Sequence, residues 1–150
     1  MYLNNYQSFI FGAVILGLLS FIACEKTGEA NKVVGFGVKT DFKQSESVWF
    51  GADTLSGLQI TVKEINDSRC PNDPEVQCVW GGEASVKLLA TDSKDSLDLM
   101  LKIDPAKNST TDTVPFTIGS KQYKALLFSV NPYPSTKIKM VKSATLTVLR

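Results

Sequence analysis

Beyond residue 32 the chain reads as an all-β domain, an antiparallel β-sandwich with a small β-barrel as the alternative. Three observations carry that reading. Apolar and polar residues alternate with period two in several short runs. Turn-forming residues separate the runs. No apolar period of 3.6 residues follows Cys24. Many short strands with regular turn signals belong to sandwiches and barrels, because each strand has one face to bury against a second layer.

The runs follow in order. Val34, Phe36 and Val38 alternate near the start, and Ser47–Phe50 forms the next short strand. Leu58, Ile60 and Val62 alternate with Gln59, Thr61 and Lys63. Ala84, Val86, Leu88 and Ala90 make one inward set, and Leu97, Leu99, Leu101 and Ile103 make another. Residues 113–118, 123–130 and 137–149 complete the series, and the last run changes phase near Val141 and Ser143, which predicts a bulge or bend. Asp53, Gly57, Ser93-Lys94-Asp95, Asp104-Pro105, Gly119-Ser120 and Asn131-Pro132-Tyr133-Pro134 supply the turns.

Composition narrows the function classes. Sixteen Lys and Arg against fifteen Asp and Glu leave a formal charge of +1, with scattered lysines, so no nucleic-acid footprint is present. Lys137, Lys139 and Lys142 form a weak local cluster that reads as the solvated face or edge of a strand. The chain has no histidine, which excludes Ser-His-Asp and Cys-His catalysis and His-ligated zinc. No cofactor and no metal site is expected.

The first 23 residues carry no charged side chain, and an apolar stretch runs from Phe9 to Ala23. It is shorter than the roughly 20 residues of a spanning helix. Ser20-Phe21-Ile22-Ala23-Cys24 resembles the end of a bacterial lipoprotein signal, with a small residue before the cysteine that becomes the lipidated N-terminus. Phe21 stands where such signals usually carry Leu, and residues 1–8 hold no Lys or Arg. The resemblance implies a signal peptide over 1–23, a lipidated Cys24 with a polar tether over 24–32, and one domain over 33–150. It implies a membrane partner through acyl chains (palmitate among them) and a bacterial envelope address. Glu25 follows the cysteine, which favours the outer membrane, with the domain periplasmic or surface-facing.

With Cys24 acylated, Cys70 and Cys78 remain, and an even pair in an oxidising compartment reads as a disulfide. The segment around them, Asp67-Ser68-Arg69-Cys70-Pro71 followed by Cys78-Val79-Trp80-Gly81-Gly82-Glu83-Ala84, is the one distinctive motif. D-S-R-C-P, a short loop and C-x-W-x-G-x-A resemble a group of small, mostly uncharacterised bacterial secreted proteins and lipoproteins, many from Bacteroidota. The resemblance implies an exported all-β domain and no particular activity.

Physically, the motif reads first as architecture. Trp80 is expected to pack on the disulfide and cap the core, Gly81 and Gly82 to turn into the next strand, and Asp67 to take backbone N–H bonds or pair with Arg69 or another cation. Four other readings use residues of this segment. Asp67, Asp73, Glu75 and Glu83 offer oxygen ligands for calcium, though not at EF-hand spacing. Arg69 on a proline-stiffened loop offers a protease-inhibitor element, and Glu83 with Asp67 offers a carboxylate pair for an enzyme. Trp80, if exposed, can stack on a sugar or a partner ring, and Tyr133 between two prolines is a stiff loop tip.

Short Asp-Ser/Thr-apolar triplets at Asp53, Asp95 and Asp112 match a loose O-glycosylation pattern but read equally as turn-to-strand junctions. The expectation is therefore a lipid-anchored, non-catalytic envelope module that is structural or binds an envelope protein or glycan. Asp67, Arg69, Trp80, Glu83 and Tyr133 form its candidate binding loop, and protease inhibition through the Arg69–Cys78 loop is the alternative.

Overall fold

A computed structural model of the chain describes residues 32–105 and 111–150. The signal segment, Cys24 and most of the tether lie outside the described residues. Nine strands occur among the described residues: β1 (Val33–Val34), β2 (Thr40–Lys43), β3 (Ser47–Phe50), β4 (Leu58–Asp67), β5 (Ala84–Thr91), β6 (Ser96–Ile103), β7 (Asp112–Ile118), β8 (Lys121–Asn131) and β9 (Ser143–Leu149). They form a five-stranded sheet of order β1-β3-β4-β5-β6 and a four-stranded sheet of order β2-β9-β8-β7. All pairings are antiparallel except β1 with β3. The two sheets do not close on each other, so the architecture is a sandwich and not a barrel.

Period two explains the interior. Leu58, Ile60 and Val62 on β4 are fully buried, as are Val86, Leu88 and Ala90 on β5 and Leu101 on β6. Ala125, Leu127, Val130, Ala144, Leu146 and Val148 face them from the other sheet. Aromatic rings link the layers. Phe50 lies 6.4 Å from Phe42 and 6.5 Å from Phe36, and Phe36 lies 5.8 Å from Tyr123. Phe116 extends the run, 5.4 Å from Tyr123.

Two strand expectations are corrected. The Val34, Phe36, Val38 run is not one strand: β1 stops at Val34, and the chain turns through Gly37 at a φ of 84°. Phe36 still packs on the core, but from a turn. The strand that follows, Thr40-Asp41-Phe42-Lys43, was not anticipated, because one buried aromatic among polar residues leaves too short an alternation to read. The second correction concerns 137–149, where only Ser143–Leu149 is a strand. The phase change near Val141 and Ser143 marks the strand's start, and residues 132–142 form a loop.

Register places one end of the sandwich. Asp67 on β4 pairs with Ala84 on β5, and Asn131 on β8 pairs with Ser143 on β9. Bonds from Arg69 to the Val130 carbonyl and from Lys142 to Asp67 bring these strand ends together, so the disulfide loop (68–83) and the 132–142 loop leave from the same end of the two sheets.

Candidate functional site

The two loops are joined by an ionic cluster that the strand ends position. Asp67 is the last residue of β4, and its side chain is only 1% exposed. Arg69 Nε donates to Asp67 Oδ1 and Arg69 Nη2 to Asp67 Oδ2, both at 2.7 Å. This two-point pairing suits the planar guanidinium. Nη2 also donates to the Val130 carbonyl at 2.7 Å, which carries the link from the five-stranded to the four-stranded sheet. Lys142 Nζ completes the cluster, donating to Asp67 Oδ2 at 2.9 Å and to the Pro132 carbonyl at 2.6 Å. The Arg69 guanidinium lies 4.3 Å from the centre of the Tyr133 ring, a cation–π contact.

Burial opposes the charge on Asp67. The hydrogen bonds and positive charges of Arg69 and Lys142 outweigh it and hold the carboxyl below its ordinary value. Its oxygens are thus taken by internal cations.

A second clasp lies outside the first. Asp73 Oδ2 accepts from the Thr136 backbone N–H at 2.6 Å and from the Thr136 hydroxyl at 2.8 Å, and Ser135 Oγ donates to Oδ1 at 3.2 Å. Those bonds lower the Asp73 carboxyl, with the backbone bond from Thr136 the main cause. Asn72 N–H donates to the Pro134 carbonyl at 3.4 Å.

The disulfide loop is also tied to itself. Cys70 and Cys78 are bonded, with Cα atoms 5.9 Å apart. Cys70 N–H donates to the Gly81 carbonyl at 2.8 Å, and Ser68 Oγ donates to the Glu83 carbonyl at 2.9 Å. Gly82 has a φ of 69° and sits against the Ser68 backbone, where any Cβ would collide. The second glycine of the motif is therefore required by geometry.

Of the five candidate loop residues, Asp67, Arg69 and Tyr133 come together in the cluster. Glu83 does not join it: its carboxylate pairs with Lys102 at 2.8 Å. Trp80 does not cap the core either. It is 70% exposed, beside a fully exposed Val79, in a loop whose next residue, Gly81, accepts from the Cys70 N–H. Arg69 is 7% exposed, which removes the projecting basic side chain that the inhibitor reading required. Lys142 is not a solvated strand residue but a half-buried member of the cluster.

Three of the four carboxylates considered for calcium have separate partners, and Glu75 is exposed. Asp67 is held by Arg69 and Lys142, Asp73 by Ser135 and Thr136, and Glu83 by Lys102. Among the described residues, no group of three or more His, Cys, Asp or Glu side chains is placed to hold a metal ion.

A groove of about 410 Å³ lies beside the cluster, lined by Ile65, Asp67, Tyr133, Ile138 and Met140 among others. A second concavity, of about 500 Å³, lies on the four-stranded sheet between Pro115, Thr117, Gln122, Lys124 and Arg150, and no acidic side chain lines it.

Sequence reasoning missed Lys142, the Asp73–Thr136 clasp and the exposed Ile138 and Met140. The phase break before Ser143 was the available signal, since it marks where a strand-like pattern stops being strand. The chain matches no known family, no curated protein and no solved structure.

Proposed function

We propose that the protein is a lipid-anchored, non-catalytic module of the bacterial cell envelope. Its loop end contacts another envelope component. The observation that supports this is the division of labour within the motif. Asp67, Ser68, Arg69, Cys70 and Gly82 are consumed in bracing the loops, while Trp80 and Val79 project into solvent from the braced frame. Exposed apolar side chains on a rigid support are the usual composition of a contact surface, because little ordering entropy is lost on association. The lipid anchor rests on Ser20-Phe21-Ile22-Ala23-Cys24 and the paired cysteines.

Two measurements test this. Intact mass of protein isolated from native membranes is expected to show cleavage before Cys24, added acyl mass and a two-hydrogen gain on reduction. Oxidative footprinting is expected to find Trp80 and Met140 less oxidised in intact envelopes than in the purified protein. Equal oxidation in both states, or an unmodified N-terminus, contradicts the proposal.

A further inference from the structure

Trp80 is left over from the brace, and so is the middle of the 132–142 loop. Ile138 and Val141 are 61% and 79% exposed, and Met140 is 43% exposed, in a stretch with no strand pairing to explain them. Lys137 and Lys139 alternate with them and are exposed; neither is within ion-pair distance of an acid among the described residues, though the Lys137 charge helps to lower the Asp73 carboxyl. The Asp73 clasp fixes this loop to the disulfide loop that carries Trp80. Apolar side chains interleaved with lysines, with a tryptophan at the same end, suit the headgroup boundary of a bilayer. Rings and aliphatics enter its upper acyl region, and ammonium groups meet phosphates.

The direction of the chain agrees. β1 is parallel to β3, which is antiparallel to β4, so β1 runs away from the loop end. The backbone at Lys32 thus enters β1 from the loop-end side. Val33 shares a row with Trp49 and Gln59, and at ~3.3 Å per residue Asp67 lies about 26 Å further along β4. The chain from Cys24 to Val33 spans at most about 30 Å when extended. Fully extended, that reach matches the distance to the level of Asp67, where the disulfide loop leaves β4.

We propose that the occupant of the loop end is the anionic phospholipid surface in which the Cys24 lipid is seated, with Trp80, Ile138 and Met140 entering the headgroup boundary and Lys137 and Lys139 on phosphates. This rests on the anchored-module reading and names its partner.

The test uses full-length lipidated protein in phosphatidylcholine vesicles with and without phosphatidylglycerol, and with acyl chains brominated near the headgroup. Trp80 emission is read as the difference between the wild-type protein and Trp80→Phe, both of which keep Trp49. Bromolipid is expected to quench that component at least about twofold in anionic vesicles. Lys137→Glu with Lys139→Glu is expected to weaken the anionic preference by about fivefold per lysine. Co-sedimentation with vesicles in high salt reports the anchor separately. Protein that sediments while Trp80 escapes bromine quenching and stays open to aqueous acrylamide overturns the membrane surface and leaves the anchor intact. That is the result a protein or glycan occupant gives. Protein that does not sediment overturns both.

Discussion

The sandwich is tied sheet to sheet by different physics in its interior and at its loop end. In the interior, Phe50 of the five-stranded sheet meets Phe42 of the four-stranded sheet, and Phe36 bridges Phe50 to Tyr123. At the loop end, Asp67 and Arg69 reach from β4 to the Val130 carbonyl of β8 and to Lys142 before β9. The rings need only apolar area and volume, so conservative replacements should be tolerated there. The ionic cluster needs every donor and acceptor in place, because removing Arg69 leaves the buried Asp67 carboxylate to Lys142 alone and cuts the link to the Val130 carbonyl. The first tie supplies stability with loose geometric demands. The second fixes the shape of two loops.

Breaking the aromatic tie should give the largest effect. Phe50→Ala removes a fully buried ring and is expected to cost about 3–5 kcal/mol in urea unfolding, with Phe50→Leu much milder. Opening the disulfide by Cys70→Ser with Cys78→Ser should cost less, at most roughly 2.5 kcal/mol by chain entropy, because the closed loop is short and holds Pro71 and Pro74. Gly82→Ala should cost more than about 1 kcal/mol, since the residue is left-handed and meets the Ser68 backbone, whereas Gly81→Ala should be silent, with open space at its Cβ.

A gentler probe of the same comparison is pH. The folded Asp67 and Asp73 carboxyls lie below their ordinary values, so their contribution is complete above the unfolded value of about 3.8. It is lost as pH falls through the folded values. Protonating Asp67 leaves Arg69 and Lys142 together without a counter-charge. Hydrogen exchange on acidification is expected to rise first in 68–83 and 132–142, while Leu88 and Leu146 stay protected. Simultaneous loss of protection everywhere would mean that the loop end has no separate acid sensitivity.

The two ties also differed in how far the sequence revealed them. Alternation in Leu58-Gln59-Ile60-Thr61-Val62 and in Leu99 to Ile103 exposes a buried face directly, because side chains on a strand alternate between faces, whereas Leu97, expected inward in the same run, is exposed at the start of its strand. The Cys70–Cys78 bond was legible from number and setting, and pairing of Asp67 with Arg69 from proximity. The contribution of Lys142 was not, because it lies 75 residues from Asp67 and its own neighbourhood imitates a strand. Trp80 was misplaced for a related reason. Composition favours burial of a tryptophan, but this one lies in the loop between the strand ends, where no alternation marks a buried face, and it is exposed.

The central claim is that one motif contains a brace and a contact residue. Urea midpoints of Arg69→Met and Trp80→Ala, measured side by side, test it most directly. Arg69→Met should lose about 3 kcal/mol, from the broken buried pair, and Trp80→Ala should stay within about 0.5 kcal/mol of wild type. A large loss for Trp80→Ala, or none for Arg69→Met, would contradict the division of the motif.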